Sequence, residues 1–183
     1  MQALPAVAPH DCLGSNLYAH VLLGKVKRVV PRANEAINET WLADRDRFSY
    51  EGIYAEDRLR APLVREADGP WRTTDWETAL GVAADALRAA GTATSALVSP
   101  SATVEEGYLL QRVLRHLGAR DIDHRLRRTD FRDQAADPVA PGLGLPIADV
   151  EARDAIVVVG SDLRREVPLL AHRVRKAALR GAR

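Results

Sequence analysis

"DAIVVVG", residues 154–160, is the most continuous apolar run in the chain, bounded by Asp154 and Gly160. Ile and Val are β-branched and suit the pleated surface of a strand. An apolar run without alternation reads as a strand covered on both faces, the situation of a parallel sheet. Downstream, "PLLAHRVRKAALRG" (168–181) reads as a helix with Pro168 in its first turn.

Upstream, helices and short strands alternate. "TTDWETALGVAADALRAAG" (73–91) opens on Thr74 and Glu77, spaced as a capping box, and closes on Gly91 as C-cap. Trp76, Leu80, Ala83, Leu87 and Ala90 form its apolar stripe. "SALVSP" (95–100) reads as a short strand. "TVEEGYLLQRVLRHLG" (103–118) repeats the helical grammar, with Thr103 and Glu106 as a second capping box and Gly118 as the stop. Its stripe is Leu110, Val113, Leu114 and Leu117. "DIDH" (121–124) reads as another strand, and residues 125–148 as a long connection ending in "PVAPGLGLPI". This alternation from Thr74 onward predicts an open, doubly wound α/β sheet.

The first part differs. "NLYAHVLLGKVKRVVP" (16–31) predicts two strands around Gly24, the second stopped by Pro31. Residues 32–65 read as loops and short turns over a small core. The expected class is α/β, with a small β-rich domain over 1–65 and a partial Rossmann-like α/β domain over 66–183. The chain has 183 residues, of which 46% are hydrophobic, enough for a real core. A net charge of +1 gives no field that would favour nucleic acid. The single cysteine excludes an internal disulfide or an all-cysteine metal cage from this chain alone. No apolar run reaches the length of a bilayer span, so direct membrane insertion is not expected.

Candidate sites are few. In "APHDCLGSN" (8–16), Cys12 follows His10 and Asp11. A thiolate nucleophile needs a base and an oxyanion donor, and a metal needs three or four converging ligands. Spacing places neither, so the favoured reading of Cys12 is a small, partly buried residue without chemistry. Gly160-Ser161-Asp162 lies where α/β folds bind ligands, but it has no phosphate fingerprint, and a plain strand-to-helix link is preferred. "GLGLP" (142–146) needs only loop geometry. "HRVRKAALRGAR" (172–183) could meet phosphates, though such runs are mostly solvated faces, and Arg173 and Lys176 are expected on the solvent side. The five histidines, at 10, 20, 116, 124 and 172, show no metal spacing.

Four stretches carry a resemblance: "NETWLADRDRFSYEGIYAEDRLRAPLVRE", "WRTTDWETALGVAADAL", "EEGYLLQRVLRHLGARDIDHRLR" and "DAIVVVGSDLRREVPLLAHRVR". They resemble the molybdopterin-dependent oxidoreductases. Within them they are similar to the large iron–sulfur subunits of bacterial NADH:quinone oxidoreductase, respiratory complex I. The likeness runs from about residue 7 to the end. Many members carry C-x-x-C-x-x-x-C here, with a fourth cysteine further on, holding a four-iron cluster. Registering the third cysteine on Ser15 puts the others at Asp11, Ala8 and Ala43. Cluster iron needs thiolates, and none of the four positions has one. Cys12 stands one place out of register.

The resemblance implies a non-catalytic scaffold segment. No residue is expected to serve catalysis, a cofactor or a metal. The local cluster and the molybdopterin are expected to be lost, and 2Fe–2S and 4Fe–4S clusters are expected in an N-terminal part of the parent subunit that is missing here. The implied partners are other hydrophilic-arm subunits of complex I, with no nucleic acid. The implied place is the cytoplasmic face of the bacterial inner membrane, as a peripheral part. Trp41, Phe48, Tyr50 and Tyr54 are candidate contact residues, with core packing the expected role for at least half. Two alternatives stay open: an active molybdopterin oxidoreductase domain, and an independent α/β phosphate- or nucleotide-binding module.

Overall fold

The computed structural model describes residues 1–124, 130, 132–137 and 142–183. Residues 125–129, 131 and 138–141 of the connection expected at 125–148 thus lie outside the described residues. The chain forms two compact units, one from Met1–Ile53 with Arg128–Arg183, the other from Tyr54–Arg127. Among the described residues no helix is long and apolar enough to cross a membrane.

The first unit begins with an antiparallel three-stranded sheet of β1 (Gln2–Val7), β2 (Asn16–Leu22) and β3 (Lys25–Pro31). β1 is not foreseen in the sequence, since Pro5 argues against a strand interior. Among the described residues it pairs only with β2, and an edge position tolerates the missing N–H. The β2–β3 hairpin turns on Leu23 and Gly24, both at positive φ (50° and 71°). Two residues at positive φ match the right-handed twist of the strands, and glycine meets no penalty there. The sheet residues Leu17 and Val29 bury with Ala8 and Leu42, and Val26 and Tyr50 pack against them. Asn38 is buried beside the sheet. Its Oδ1 accepts from Asn16 N–H at 2.9 Å, and its Nδ2 faces the carbonyls of Asn16, Arg32 and Trp41 at 3.1–3.2 Å. α1 (Asp44–Phe48) follows.

The same unit holds α4 (Leu163–Glu166) and α5 (Pro168–Leu179), with Pro168 at the start of α5 as expected. Just ahead of them in sequence runs the segment predicted as a strand covered on both faces. Residues 154–160 form no strand. Ile156 N–H donates to Arg183 O (2.8 Å) and Arg183 N–H to Asp154 O (3.0 Å), and no ladder continues from these bonds among the described residues. Val157 and Val159 are each 85% exposed. β-propensity supplies the residues of a strand, but the strand itself needs a neighbour, and none of the described residues takes that place.

In the second unit, β4 (Leu63–Arg65) and β5 (Trp71–Thr73) make an antiparallel pair. α2 (Trp76–Ala90) is capped by Asp75, whose carboxylate accepts from Thr78 N–H at 2.8 Å, and not by Thr74. Asp75 stands at the position where the chain turns helical, so the expected Thr74–Glu77 box is displaced by one residue. β6 (Ser95–Leu97), α3 (Val104–His116) and β7 (Asp121–Asp123) follow, with β6 and β7 parallel. They form the β–α–β unit that the alternation predicts. The Thr103–Glu106 box is present as expected. Gly118 stops α3 at φ 79°, where a Cβ would come within 3.1 Å of Thr92 Cγ2. The apolar stripes are only partly covered: Leu114 is buried, whereas Trp76, Leu80 and Val113 are exposed.

The architecture is mixed α/β with a small N-terminal sheet. β6–β7 is the one parallel pair among the described residues.

Candidate functional site

Residues 8–16 leave β1 and return as β2. The loop is closed at its base by Ala8 N–H donating to Ser15 O at 2.8 Å. Inside it, Asp11 Oδ1 accepts from Leu13 N–H at 3.0 Å, and Gly14 takes φ 75°. Leu13 and Ser15 are buried, Ser15 completely. Ala43 is also buried and serves as the N-cap of α1, its carbonyl accepting from Asp46 and Arg47 N–H.

Two side-chain pairs tie the loop to α1. His10 Nδ1 and Asp46 Oδ1 share a hydrogen bond of 2.6 Å, and Arg45 Nη2 donates to Asp11 Oδ2 at 2.7 Å. The carboxylates are the buried partners: the Asp46 side chain has no exposed surface and that of Asp11 has 3%. Burial pushes the Asp46 carboxyl above its ordinary range, and His10 counteracts this by hydrogen bonding. Arg45 also donates to the carbonyls of Arg165 (3.0 Å) and Glu166 (2.6 Å), at the end of α4. Ser15 Oγ, Arg45 Nε and Asp46 Oδ2 are buried without a hydrogen-bond partner among the described residues.

The four positions in cluster register therefore converge on one knot: Ala8, Asp11 and Ser15 on the loop, and Ala43 immediately before the helix bonded to it. Their donor set is two methyl groups, a carboxylate already engaged by Arg45 and Leu13 N–H, and one hydroxyl. These residues do not fit a four-iron cluster, whose iron takes thiolates. Cys12 is exposed, in contrast to the partly buried position expected for it. No group of three or more His, Cys, Asp or Glu side chains among the described residues is arranged to hold a metal ion.

At Gly160-Ser161-Asp162, Gly160 has φ 66° and the Glu166 carboxylate accepts from Ser161 Oγ (2.6 Å) and Asp162 N–H (3.3 Å). A carboxylate already lies over this turn, so its chemistry does not fit the phosphate of an anionic cofactor. "GLGLP" forms a bend with Gly144 at φ 76°.

The C-terminal basic run overturns its expectation. Arg173 is 4% exposed and Lys176 is half-buried. Arg173 bonds Glu151 through Nη1, and through Nη2 it donates to the carbonyls of Glu35 (2.6 Å) and Ile37 (3.2 Å). Lys176 Nζ donates to Glu39 Oε1 and Glu151 Oε1, each at 2.6 Å. A strip facing solvent on a helical wheel is covered here by acidic side chains from two other segments, Glu151 at 22 and 25 positions away and Glu39 at 137 from Lys176. Burial pushes the Glu151 carboxyl upward, but bonds from Lys176 and Arg173 outweigh it and hold the group below its ordinary range. The ammonium of Lys176 is held above its own. Trp41, Phe48 and Tyr54 are exposed, Trp41 against the His172 ring at 5.4 Å, while Tyr50 packs on the core and donates to Lys27 O.

Sequence reasoning missed Arg45, Asp46, Asn38 and Glu151. The only local signal was the alternating charge of "DRDR" (44–47), which says nothing of partners more than thirty residues away.

The molybdopterin oxidoreductase family model matches residues 58–183. The NADH-ubiquinone oxidoreductase NDSU1/NuoG-like, 4Fe-4S domain model matches residues 2–51. The chain is 28% identical over 200 residues to the NADH-ubiquinone oxidoreductase 75 kDa subunit of Reclinomonas americana, covering 99% of this chain and 28% of that protein. It is 31% identical over 183 residues to the G subunit of the NADH-quinone oxidoreductase of Rickettsia felis, covering 97% of this chain and 27% of that one. The chain thus spans about a quarter of the length of the curated relatives it matches.

Proposed function

We propose, from the premise that this chain belongs to the molybdopterin oxidoreductase family, that it is a non-catalytic scaffold portion of the large iron–sulfur subunit of an NADH:quinone oxidoreductase. The observation that carries this reading is the contradiction over residues 2–51. They match a 4Fe–4S domain, yet the four ligand positions hold Ala8, Asp11, Ser15 and Ala43. A domain that keeps its fold without its redox group retains a packing and docking role.

On this reading no residue here accepts an electron, proton or hydride, and molybdopterin is not bound. The parent enzyme moves electrons from NADH to quinone. Its iron–sulfur clusters are assigned to polypeptide other than these residues, which hold a single thiol. Residues 1–65 are the degenerate cluster domain and 66–183 belong to a doubly wound α/β domain. The parallel β6–β7 pair with α3 between its strands supports the latter. The partners are hydrophilic-arm subunits at the cytoplasmic face of the inner membrane.

The test is a tagged full chain expressed in its own cells. It should migrate on native gels with NADH:quinone oxidoreductase activity, and the purified chain alone should not oxidise NADH. Stoichiometric molybdenum in the purified chain overturns the scaffold role. Failure to migrate with the activity overturns the assignment to the complex.

A further inference from the structure

A four-iron cluster at positions 8, 11, 15 and 43 would bind the 8–15 loop to the chain that enters α1. We infer that the pairs His10–Asp46 and Asp11–Arg45 supply that cross-link in its place. The inference rests on the ligand register proposed above.

The two pairs join the same two segments as the cluster would. Asp11 is itself a ligand position, and Arg45 and Asp46 follow Ala43 by two and three residues. The His10–Asp46 pair bridges a sequence separation of 36 and the Asp11–Arg45 pair one of 34. Both carboxylates are shielded from water, so both bonds form in a low-dielectric place, and the bond from the Arg45 guanidinium to Asp11 is charge-assisted. Removing His10 or Arg45 leaves its carboxylate partner buried and under-bonded. Ala8 and Ser15, at 4% and 0% exposure, complete the knot with a methyl group and a small hydroxyl. Arg45 extends the tie to the carbonyls of Arg165 and Glu166, so one guanidinium holds three segments together.

The test uses the full chain in a double-mutant cycle of His10→Ala and Asp46→Ala, read by denaturant unfolding and by amide exchange at Ala8 and Asp46. Each single variant should lower the folding constant about tenfold to a hundredfold. The double variant should fall short of the product of the two single losses by at least about threefold, the mark of two residues acting as one contact. Asp46→Asn keeps the shape and should still speed exchange at both amides, and it serves if Asp46→Ala fails to fold. Additive losses, or unchanged exchange in Asp46→Asn, overturn the cross-link. The register is tested separately by A8C/D11C/S15C/A43C. After reconstitution with iron and sulfide it should take up four irons per chain and show broad visible absorbance. If this variant takes up no iron, the register fails whatever the cycle shows. Four irons in the native chain after anaerobic purification overturn both.

Discussion

Arg173 Nη2 donates to the carbonyl oxygen of Glu35 at 2.6 Å, joining residues 138 positions apart. With this bond the helix α5 of the region matching the molybdopterin oxidoreductase model holds a loop of the region matching the 4Fe–4S model. The first compact unit therefore draws on both matched regions. Arg173→Ala removes this tie and the bond to buried Glu151 together. The expected loss is about 3 kcal/mol in urea unfolding, at the lower end for a broken buried ion pair because Lys176 still faces Glu151. A loss below about 1 kcal/mol would show that the guanidinium is not structurally engaged.

The same cluster sets a pH dependence of defined sign. The Glu151 carboxyl is held below its ordinary range in the folded chain. Its contribution is complete above the unfolded pKa of about 4.3 and disappears as pH falls through the lower folded value. Lys176 works in the opposite direction. Its raised pKa makes its contribution complete below about 10.4 and lost as pH rises through the folded value. Glu151→Gln should flatten the acid limb of a stability–pH curve and also weaken the alkaline limb, since it removes a partner of Lys176. An unchanged acid limb would mean that Glu151 titrates alike in folded and unfolded chains.

Helix caps separate two neighbouring residues that sequence alone confuses. Asp75→Ala should speed exchange of the Thr78 amide, whereas Thr74→Ala should leave it unchanged. In α3, Thr103→Ala should cost about 1 kcal/mol. Equal effects at Thr74 and Asp75 would return the cap to Thr74.

Leu23 stands at φ 50° in the β2–β3 turn and is 93% exposed. Asparagine tolerates that conformation better than leucine, and Asn-Gly is a favoured pair for such a hairpin. Leu23→Asn should stabilise the chain by about 0.5 kcal/mol, seen as a higher denaturant midpoint with an unchanged slope. A lower midpoint would place Leu23 in a contact.

Much of the local structure is legible in the order of residues, because its causes are local. Caps, stops and alternation lie within a few positions of one another. The hairpin around Gly24, the helices containing 76–90 and 104–116, and the short strands at 95–97 and 121–123 are all read this way. "DAIVVVG" shows the limit. Its composition is that of a central strand, but a strand exists only against a neighbour, and Val157 and Val159 stand exposed. The candidate site divides along the same line. That positions 8, 11, 15 and 43 lack thiols is a fact of sequence, and on the register proposed above it leaves no thiolate there for cluster iron. What occupies the knot instead, and why Arg173 is buried on a strip that a helical wheel assigns to solvent, was decided by tertiary structure. Pairing of His10 with Asp46, Asp11 with Arg45 and Arg173 with Glu151 depends on where the backbone returns in space, and burial, not charge pattern, selects which of many polar pairs matter.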